Sequence, residues 1–251
     1  MKEFDESKLS TLPHAITFSR AEETASTNDD LKVAARLGVP DYTLMIADRQ
    51  IAGKGRLGRS FYSEGGLYMS ILLPYREETN AFLTPAAAIA VARAIEDLTG
   101  KEALVKWVND VFVENRKVCG ILAESVVTQD GRRIVLGIGV NLDSESANFP
   151  EELSGIAGAI GAERSELAAR ILRYLFDLTD SGDLPSIRRE YRKRCFLVGR
   201  EITVHKESGC RKATVLGLTE DLSLSVRYDT GEREDLVAGE ISVRLCEGKS
   251  R

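Results

Sequence analysis

Two stretches of this chain combine cations with bare backbone. In Gly53-Lys54-Gly55-Arg56-Leu57-Gly58-Arg59, three glycines alternate with three cations. Glycine leaves backbone amides accessible, and amides and guanidinium forks both favour carboxylate or phosphate oxygens. The segment therefore suits an anion, with a solvated surface turn as the plainer alternative. Its letters also fit the dinucleotide fingerprint G-x-G-x-x-G, with Glu77 and Glu78 roughly where a ribose-binding acid belongs. That fingerprint opens a helix. Here Arg59-Ser60-Phe61-Tyr62 runs through Gly65-Gly66 into the strand-like LYMSILL, and no G-K-[ST] closes a P-loop.

The second stretch is Lys106-Trp107-Val108-Asn109-Asp110, with Lys117 seven residues after Asp110. Two strands joined by a short turn would bring Lys106 and Lys117 into one pocket. Two ammonium groups there would attract anions and stabilise negative charge that develops between them. Taken singly, either lysine is as well explained as a solvent-facing strand residue, Trp107 as core, and Asn109-Asp110 as a tight turn. Further on, Gly137-Ile138-Gly139-Val140-Asn141 would let a flat ring approach a strand, with Asn141 hydrogen-bonding an adenine or phosphate. A strand with a glycine bulge is the alternative. Ser26-Thr27-Asn28 precedes a helix and can cap it. The two histidines, His14 and His205, lie outside all these segments, which leaves histidine-based catalysis without a candidate.

The elements that must position these residues alternate along the chain. A helix is predicted over 26–37, favoured by Asp29 and Asp30 at its positive end and stopped by Gly38. A strand follows at 43–48, the glycine-rich segment at 50–66, and a strand at 67–73. Thr84-Pro85 reads as the start of a second helix that Gly100 ends. Residues 103–141 form a β-rich block with turns at Glu114-Asn115-Arg116 and Gln129-Asp130-Gly131. Two more helices are predicted, over 165–178 and 185–195. From Gly199 the pattern changes to short strands (EITVHK, KATVLGL, LSLSVRY, ISVRL), which reads as a small β-barrel joined to an α+β domain. The expected division is 1–198 and 199–251.

Bulk properties agree with an ordinary globular protein: 43% hydrophobic and 29% charged residues in 251. A net charge of −5 argues against a sequence-independent grip on DNA, which needs a cationic face. Cys119, Cys195, Cys210 and Cys246 contain no C-x-x-C pair, so neither a zinc site nor a disulfide framework is indicated and a reducing compartment fits. With no secretion signal at the start and no bilayer-length apolar run, the expectation is cytoplasmic.

Several segments together resemble the biotin–protein ligases. That family carries G-R-G-R-x-G-R with a glutamine three residues before the first glycine, matched here by Gln50 and the 53–59 loop, with Lys54 replacing an arginine and losing its bidentate fork. Its K-W-P-N-D is matched at 106–110 with Val108 for proline, its R-K-x-x-G-I-L-x-E at 116–124, its G-I-G-I/V-N at 137–141, and its S-T-N at 26–28. The G-E-I-S-x-R ending is matched from Gly239 to Arg244. The resemblance implies a class II synthetase-like α+β catalytic domain of the biotin/lipoate ligase kind, a mixed sheet with helices, then an SH3-like barrel. It implies activation of biotin by ATP, with Mg2+, and transfer to a lysine of a biotin carboxyl carrier protein. Lys117 becomes the main catalytic cation, with Arg56, Lys106 and Asp110 beside it. Biotin would meet Ser26, Thr27, Asn28, Gln50, Gly53, Lys54, Arg56, Lys117 and Gly120. The nucleotide would meet Arg56, Arg59, Phe61, Lys106, Asn109 and Asn141. No protein metal ligands are expected. The roughly 20 residues before the S-T-N segment leave no room for the helix-turn-helix of repressor members, so no DNA and no membrane partner is expected; a homodimer stays open. A lipoate or octanoyl ligase or transferase is the enzymatic alternative, and a non-catalytic binding module or regulator the alternative of another class.

Overall fold

The structure is a computed structural model that describes residues 3–58, 61, 65–142, 155–206, 209–237 and 242–245. Its elements are β1 (Thr17–Thr24), α1 (Thr27–Arg36), β2 (Thr43–Gln50), β3 (Gly66–Pro74), α2 (Asn80–Thr99), β4 (Ala103–Lys106), β5 (Asp110–Val113), β6 (Arg116–Thr128), β7 (Gly131–Asn141), α3 (Arg164–Ser181) and α4 (Leu184–Arg194). Then come β8 (Glu201–Lys206), β9 (Gly209–Leu218), β10 (Leu224–Tyr228), β11 (Arg233–Leu236) and β12 (Ser242–Leu245). The first seven strands form one mixed sheet in the order β1-β2-β3-β7-β6-β5-β4, parallel only between β1 and β2.

Strand side chains alternate between the two faces of a sheet. On β3, Leu67, Met69, Ile71 and Leu73 point into the main core, as do Leu136, Ile138 and Val140 on β7. Helix α2 seals this face with a run of alanines, Ala86 to Ala88, Ala90 and Ala92, all buried, whose small side chains let sheet and α3 approach closely. The opposite face carries Leu72, Val126 and Val135, which pack under Leu31 and Ala35 of α1 at one end. Beyond α1 that face bears Tyr68, Ser70, Gly120, Gly137 and Gly139, and it opens as a cleft.

Sequence reading placed most elements within a few residues. It missed β1, where burial does not alternate, and the 3-10 turn Glu6–Thr11. Helix α2 starts at Asn80, not at Thr84, so Pro85 lies inside the helix. Burial of Phe82 and Leu83 pulls the first turn into the core. The proline withholds an amide from the carbonyl of Ala81, an exposed residue, which limits the usual penalty. The β5–β6 hairpin turns on Glu114 and Asn115, both left-handed, as a two-residue loop requires.

The region expected to form a barrel is a five-stranded antiparallel sheet, β11-β10-β9-β8-β12. Strand β11 escaped notice because its sequence, REDL, is polar. Leu222 sits in a left-handed turn instead of a strand. Apolar residues of this sheet, including Ile202, Leu224 and Val226, join the same core cluster as Tyr191 and Leu197.

Strand β4 carries Lys106 and is fastened from behind by Arg194 of α4. Its guanidinium donates in a fork to both Glu96 oxygens of α2, at 2.7 and 2.9 Å, and to the Ala103 carbonyl at 3.0 Å. Glu190 accepts from the same guanidinium at 3.0 Å. Burial works against both carboxylates, but hydrogen bonds from arginine outweigh it and hold them below the usual carboxylate range. Such depressed groups contribute stability that is present above about pH 4.3 and is lost as pH falls through their folded values. In Arg194→Met, burial of Glu96 meets little compensation, so its pKa rises and the variant loses stability as pH rises. The expected loss is about 1–3 kcal/mol at pH 7, shrinking toward pH 3. Urea midpoints at the two pH values check this, and equal losses at both would contradict it.

Candidate functional site

The cleft, a cavity of about 150 Å3, lies between the α1 N-terminus, the 53–58 loop and the β4–β5 turn. Its floor is the bare backbone of β6 and β7. Gly120 and Gly139 are paired across the two strands, and Gly137 pairs with Leu122 one step along. The ring of Phe61 lies on the first pair: a Cβ at Gly139 would come within 2.6 Å of it, and one at Gly120 within 3.0 Å. A flat ring does approach these glycines, and it belongs to the protein itself. At Gly137 the intruding group is the Asn28 side chain, whose Oδ1 would lie 2.2 Å from a Cβ.

One end of the cleft is a buried polar network. Ser26 occupies the N-cap position but makes no side-chain cap bond, so the capping alternative for this segment is not realised. Thr27 turns to Gln50, whose Oε1 accepts from its amide at 2.9 Å and lies 3.1 Å from its hydroxyl. Ser70, fully buried on β3, lies 2.7 Å from the Thr27 hydroxyl and 2.6 Å from Asn28 Oδ1. Asn28 donates through Nδ2 to Glu124 at 2.7 Å and to the Leu122 carbonyl at 3.3 Å. Glu124 also accepts from Lys32 at 2.8 Å; Lys32 reaches Asp29 at 2.9 Å, and Asp29 meets Lys54 at 2.5 Å. Burial disfavours the Lys32 charge, but Glu124 and Asp29 outweigh it and keep its pKa above the ordinary lysine value.

The other end is cationic. Lys54, Arg56, Lys106 and Lys117 all line it, against Asp110 as the one carboxylate among the described lining residues. Lys117 on β6 is paired with Asp110 on β5 at 2.8 Å and lies 5.8 Å from the Phe61 ring centroid. Directly beneath, the Cys119 thiol is fully buried and its pKa is pushed far up by desolvation, so it offers no nucleophile. Asn109 exchanges bonds with Ile121 of β6: its Nδ2 donates to the carbonyl at 2.8 Å, and its own carbonyl accepts the amide at 3.0 Å. The turn between Lys106 and Asp110 is clamped from outside as well. Trp107 Nε1 donates to the Leu222 carbonyl of the C-terminal sheet at 2.9 Å, and the Tyr191 hydroxyl donates to the Val108 carbonyl at 2.9 Å.

The structure thus gathers Ser26, Thr27, Asn28, Gln50, Lys54, Arg56, Phe61, Lys106, Asn109, Asp110, Lys117 and Gly120 around one cleft. Gly53 stands behind it, its carbonyl accepting the Phe61 amide at 2.8 Å. Asn141 lies off the cleft, buried, and donates to the Gly158 carbonyl at 3.0 Å. Arg59 is outside the described residues. Sequence reading passed over Ser70, Lys32 and the side chain of Glu124. The signal for two of them was present: a serine in the apolar LYMSILL and an acid in GILAES.

A hydrogen-bonding pocket that runs along bare backbone into a cation cluster offers donors and acceptors at one end and positive charge for an anion at the other. Residues 21–141 match the profile of the biotin/lipoate A/B protein ligase family. The match covers 121 of the 251 residues, just under half of the chain. Among curated proteins it is 35% identical over 149 residues to the bifunctional ligase/repressor BirA of Bacillus spizizenii, a match that covers 57% of this chain and 45% of that one. The aligned part thus spans about half the length of that relative. It is 29% identical over 235 residues to the biotin–[acetyl-CoA-carboxylase] ligase of Mycobacterium tuberculosis, covering 87% and 86% of the two chains. A solved biotin protein ligase from Aquifex aeolicus, in complex with biotin and ATP, superposes with a TM-score of 0.78 at 28% identity, over 92% of this chain and 99% of that one.

The glycine contacts give a testable contrast. Gly137→Ala drives a methyl group into Asn28, which the network holds, and should lower stability by about 1–3 kcal/mol while collapsing the polar pocket. Gly217→Ala, in open space, should leave stability within about 0.5 kcal/mol. Thermal denaturation of both variants checks the contrast, and equal behaviour would contradict the close approach.

Proposed function

We propose that this protein joins biotin to ATP as biotinyl-5′-AMP and then passes the biotinyl group to a lysine of a biotin carboxyl carrier protein. What supports this reading is the juxtaposition, on one glycine floor, of the Thr27–Gln50–Ser70 polar pocket and the cations Lys54, Arg56, Lys106 and Lys117.

In the first step a carboxylate oxygen of biotin attacks the α-phosphorus. The bond from phosphorus to the bridging oxygen breaks, and pyrophosphate leaves with the electron pair. Both reactants are anions, so they meet only where cations offset their repulsion. Lys117, held by Asp110, stands where charge grows on the non-bridging oxygens, while Arg56 and Lys106 neutralise the remaining phosphate charge. In the second step the ε-amine of the acceptor lysine attacks the acyl carbon. The carbon–oxygen bond to phosphate breaks, AMP departs with the electron pair, and the amine loses a proton. Between steps the mixed anhydride must be kept from water, a task assigned to the loop that carries Arg56.

Magnesium, which accompanies nucleotide phosphates, finds no protein cage among the described residues. No group of three or more acidic, histidine or cysteine side chains is poised for it, and Asp110 is paired with Lys117. Its holders would be the phosphates themselves, where it would neutralise charge. A division of the chain at 198/199 accords with this reading, the C-terminal sheet bracing the 106–110 turn through Trp107. Among the described residues no helix is long and apolar enough to cross a membrane.

The decisive experiment offers the protein ATP, magnesium, a carrier domain and either labelled biotin or labelled lipoate. Transfer of biotin alone is expected; transfer of lipoate alone would replace this reading with the other branch of the family. In the same assay Lys117→Ala should slow pyrophosphate release by about two orders of magnitude or more, with an unchanged melting temperature as the control for folding. Arg56→Gly should still form the adenylate but release it early, so that lysines of a bystander protein become labelled. Labelling confined to the carrier would remove Arg56 from the retaining role.

A further inference from the structure

Lys117 reaches the cleft through an irregularity of its own strand. Side chains on a strand alternate between the two faces. On β6, Gly120 belongs to the cleft floor and Cys119 to the main core. Regular alternation would therefore put Val118 in the cleft and Lys117 in the core. The structure does the reverse: Val118 and Cys119 are both buried in the core cluster, and Lys117 lines the cleft. Register supplies the reason. Val111 of β5 pairs with Cys119, but Phe112 pairs with Lys117, which leaves Val118 as one extra residue, a β-bulge. An insertion of one residue turns the side chains beyond it to the other face.

A bulged strand end needs fastening. Pairing of β6 with β7 begins at Cys119, opposite Val140, so Lys117 lies past it. The segment 155–158 takes over there. The Lys117 amide donates to the Ile156 carbonyl at 2.8 Å, and the Gly158 amide donates to the Lys117 carbonyl at 2.9 Å. The segment is tied in turn to the end of β7. Asn141 Nδ2 donates to the Gly158 carbonyl at 3.0 Å, and the Ile160 and Gly161 amides donate to the Asn141 and Leu142 carbonyls at 3.2 and 2.8 Å. At Gly158 the approach leaves no room for a side chain. A Cβ there would stand 2.7 Å from Arg116 Cβ and 3.5 Å from Val118 Cγ1, on the two residues that flank Lys117. Gly158 has no positive φ, so an added methyl group would act through this contact and not through backbone strain.

We infer that Gly158 is a positioning residue for the reaction: by admitting segment 155–158 against Arg116 and Val118 it lets both backbone bonds of Lys117 form, and these hold the bulge that aims the lysine at Asp110 and the reacting phosphate. The inference rests on the reading of Lys117 as the cation that stabilises charge at phosphorus, and deepens it. Gly158 belongs to none of the segments that carry the family resemblance, and it does not line the cleft.

Gly158→Ala forces the segment away from Lys117 and replaces no side chain of the cleft. Single-turnover pyrophosphate release from biotin and ATP should slow about tenfold or more, as small misplacements of a reacting group do, in protein with the circular dichroism of wild type. Two further backgrounds separate positioning from stability. Added to Lys117→Ala, the substitution should cost less than about threefold, because the group it misplaces is already gone, whereas independent losses would multiply. Arg116→Gly removes the Cβ that blocks the added methyl group. Arg116→Gly/Gly158→Ala should therefore fold and react within about threefold of Arg116→Gly alone, even where Gly158→Ala by itself does not fold. Wild-type protein that releases no pyrophosphate, or Lys117→Ala as fast as wild type, overturns the functional reading of the site and this inference with it. With Lys117→Ala slow, this inference alone is overturned by Gly158→Ala within about threefold of wild type, by losses that multiply, or by no recovery with Arg116→Gly.

Discussion

Side chains on a strand must choose one of two faces, and on β6 and β7 glycine declines that choice at 120, 137 and 139. The face they leave bare is what the rest of the cleft depends on. Only there can the amide of Asn28 and the ring of Phe61 lie against backbone. The opposite face carries the reverse commitment: Leu136, Ile138 and Val140 are buried in the main core, so a slip of one residue would bring apolar side chains into the cleft and glycines into the core. Core and site therefore constrain the same strands, and the register that packs one assembles the other.

Charge is distributed along this floor with a physical logic. At the polar end, half-buried charges are paired in a chain from Glu124 through Lys32 and Asp29 to the exposed Lys54. Partial burial costs each of these charges some hydration, and its neighbour in the chain offsets that cost. At the other end, among the described residues, cations outnumber the single lining carboxylate, an imbalance that favours an anionic ligand. Lys54 belongs to both ends: the ammonium that replaces the family's arginine is engaged with Asp29, so part of its charge serves the network.

The C-terminal sheet and α4 act on the site from behind. Trp107 and Val108 are each held by one hydrogen bond, from outside the seven-stranded sheet, and Arg194 fixes the strand that leads into them. The turn bearing Lys106, Asn109 and Asp110 is thus braced on three sides, and the preorganisation that charge stabilisation needs comes from this bracing.

The sequence by itself determined the cations, the glycines and their order. Apolar, strand-like runs announced β3, β6 and β7, and Gly38 and Gly100, both left-handed, mark where helices stop. Local chemistry suffices for such features because each is decided within a few residues. The meeting of Lys117 with Asp110, and of Thr27 with Gln50, was legible only as neighbouring motifs. Ser70 as a link and Glu124 as the fixed charge behind Asn28 were decided by tertiary structure alone, since Asn28 and Glu124 stand 96 residues apart. So was the displacement of Pro85 into a helix interior, where burial of Phe82 and Leu83 outweighed the local stop signal. Hydrogen-bond polarity in a buried network depends on which acceptors surround each proton, and that list exists only after the chain has folded.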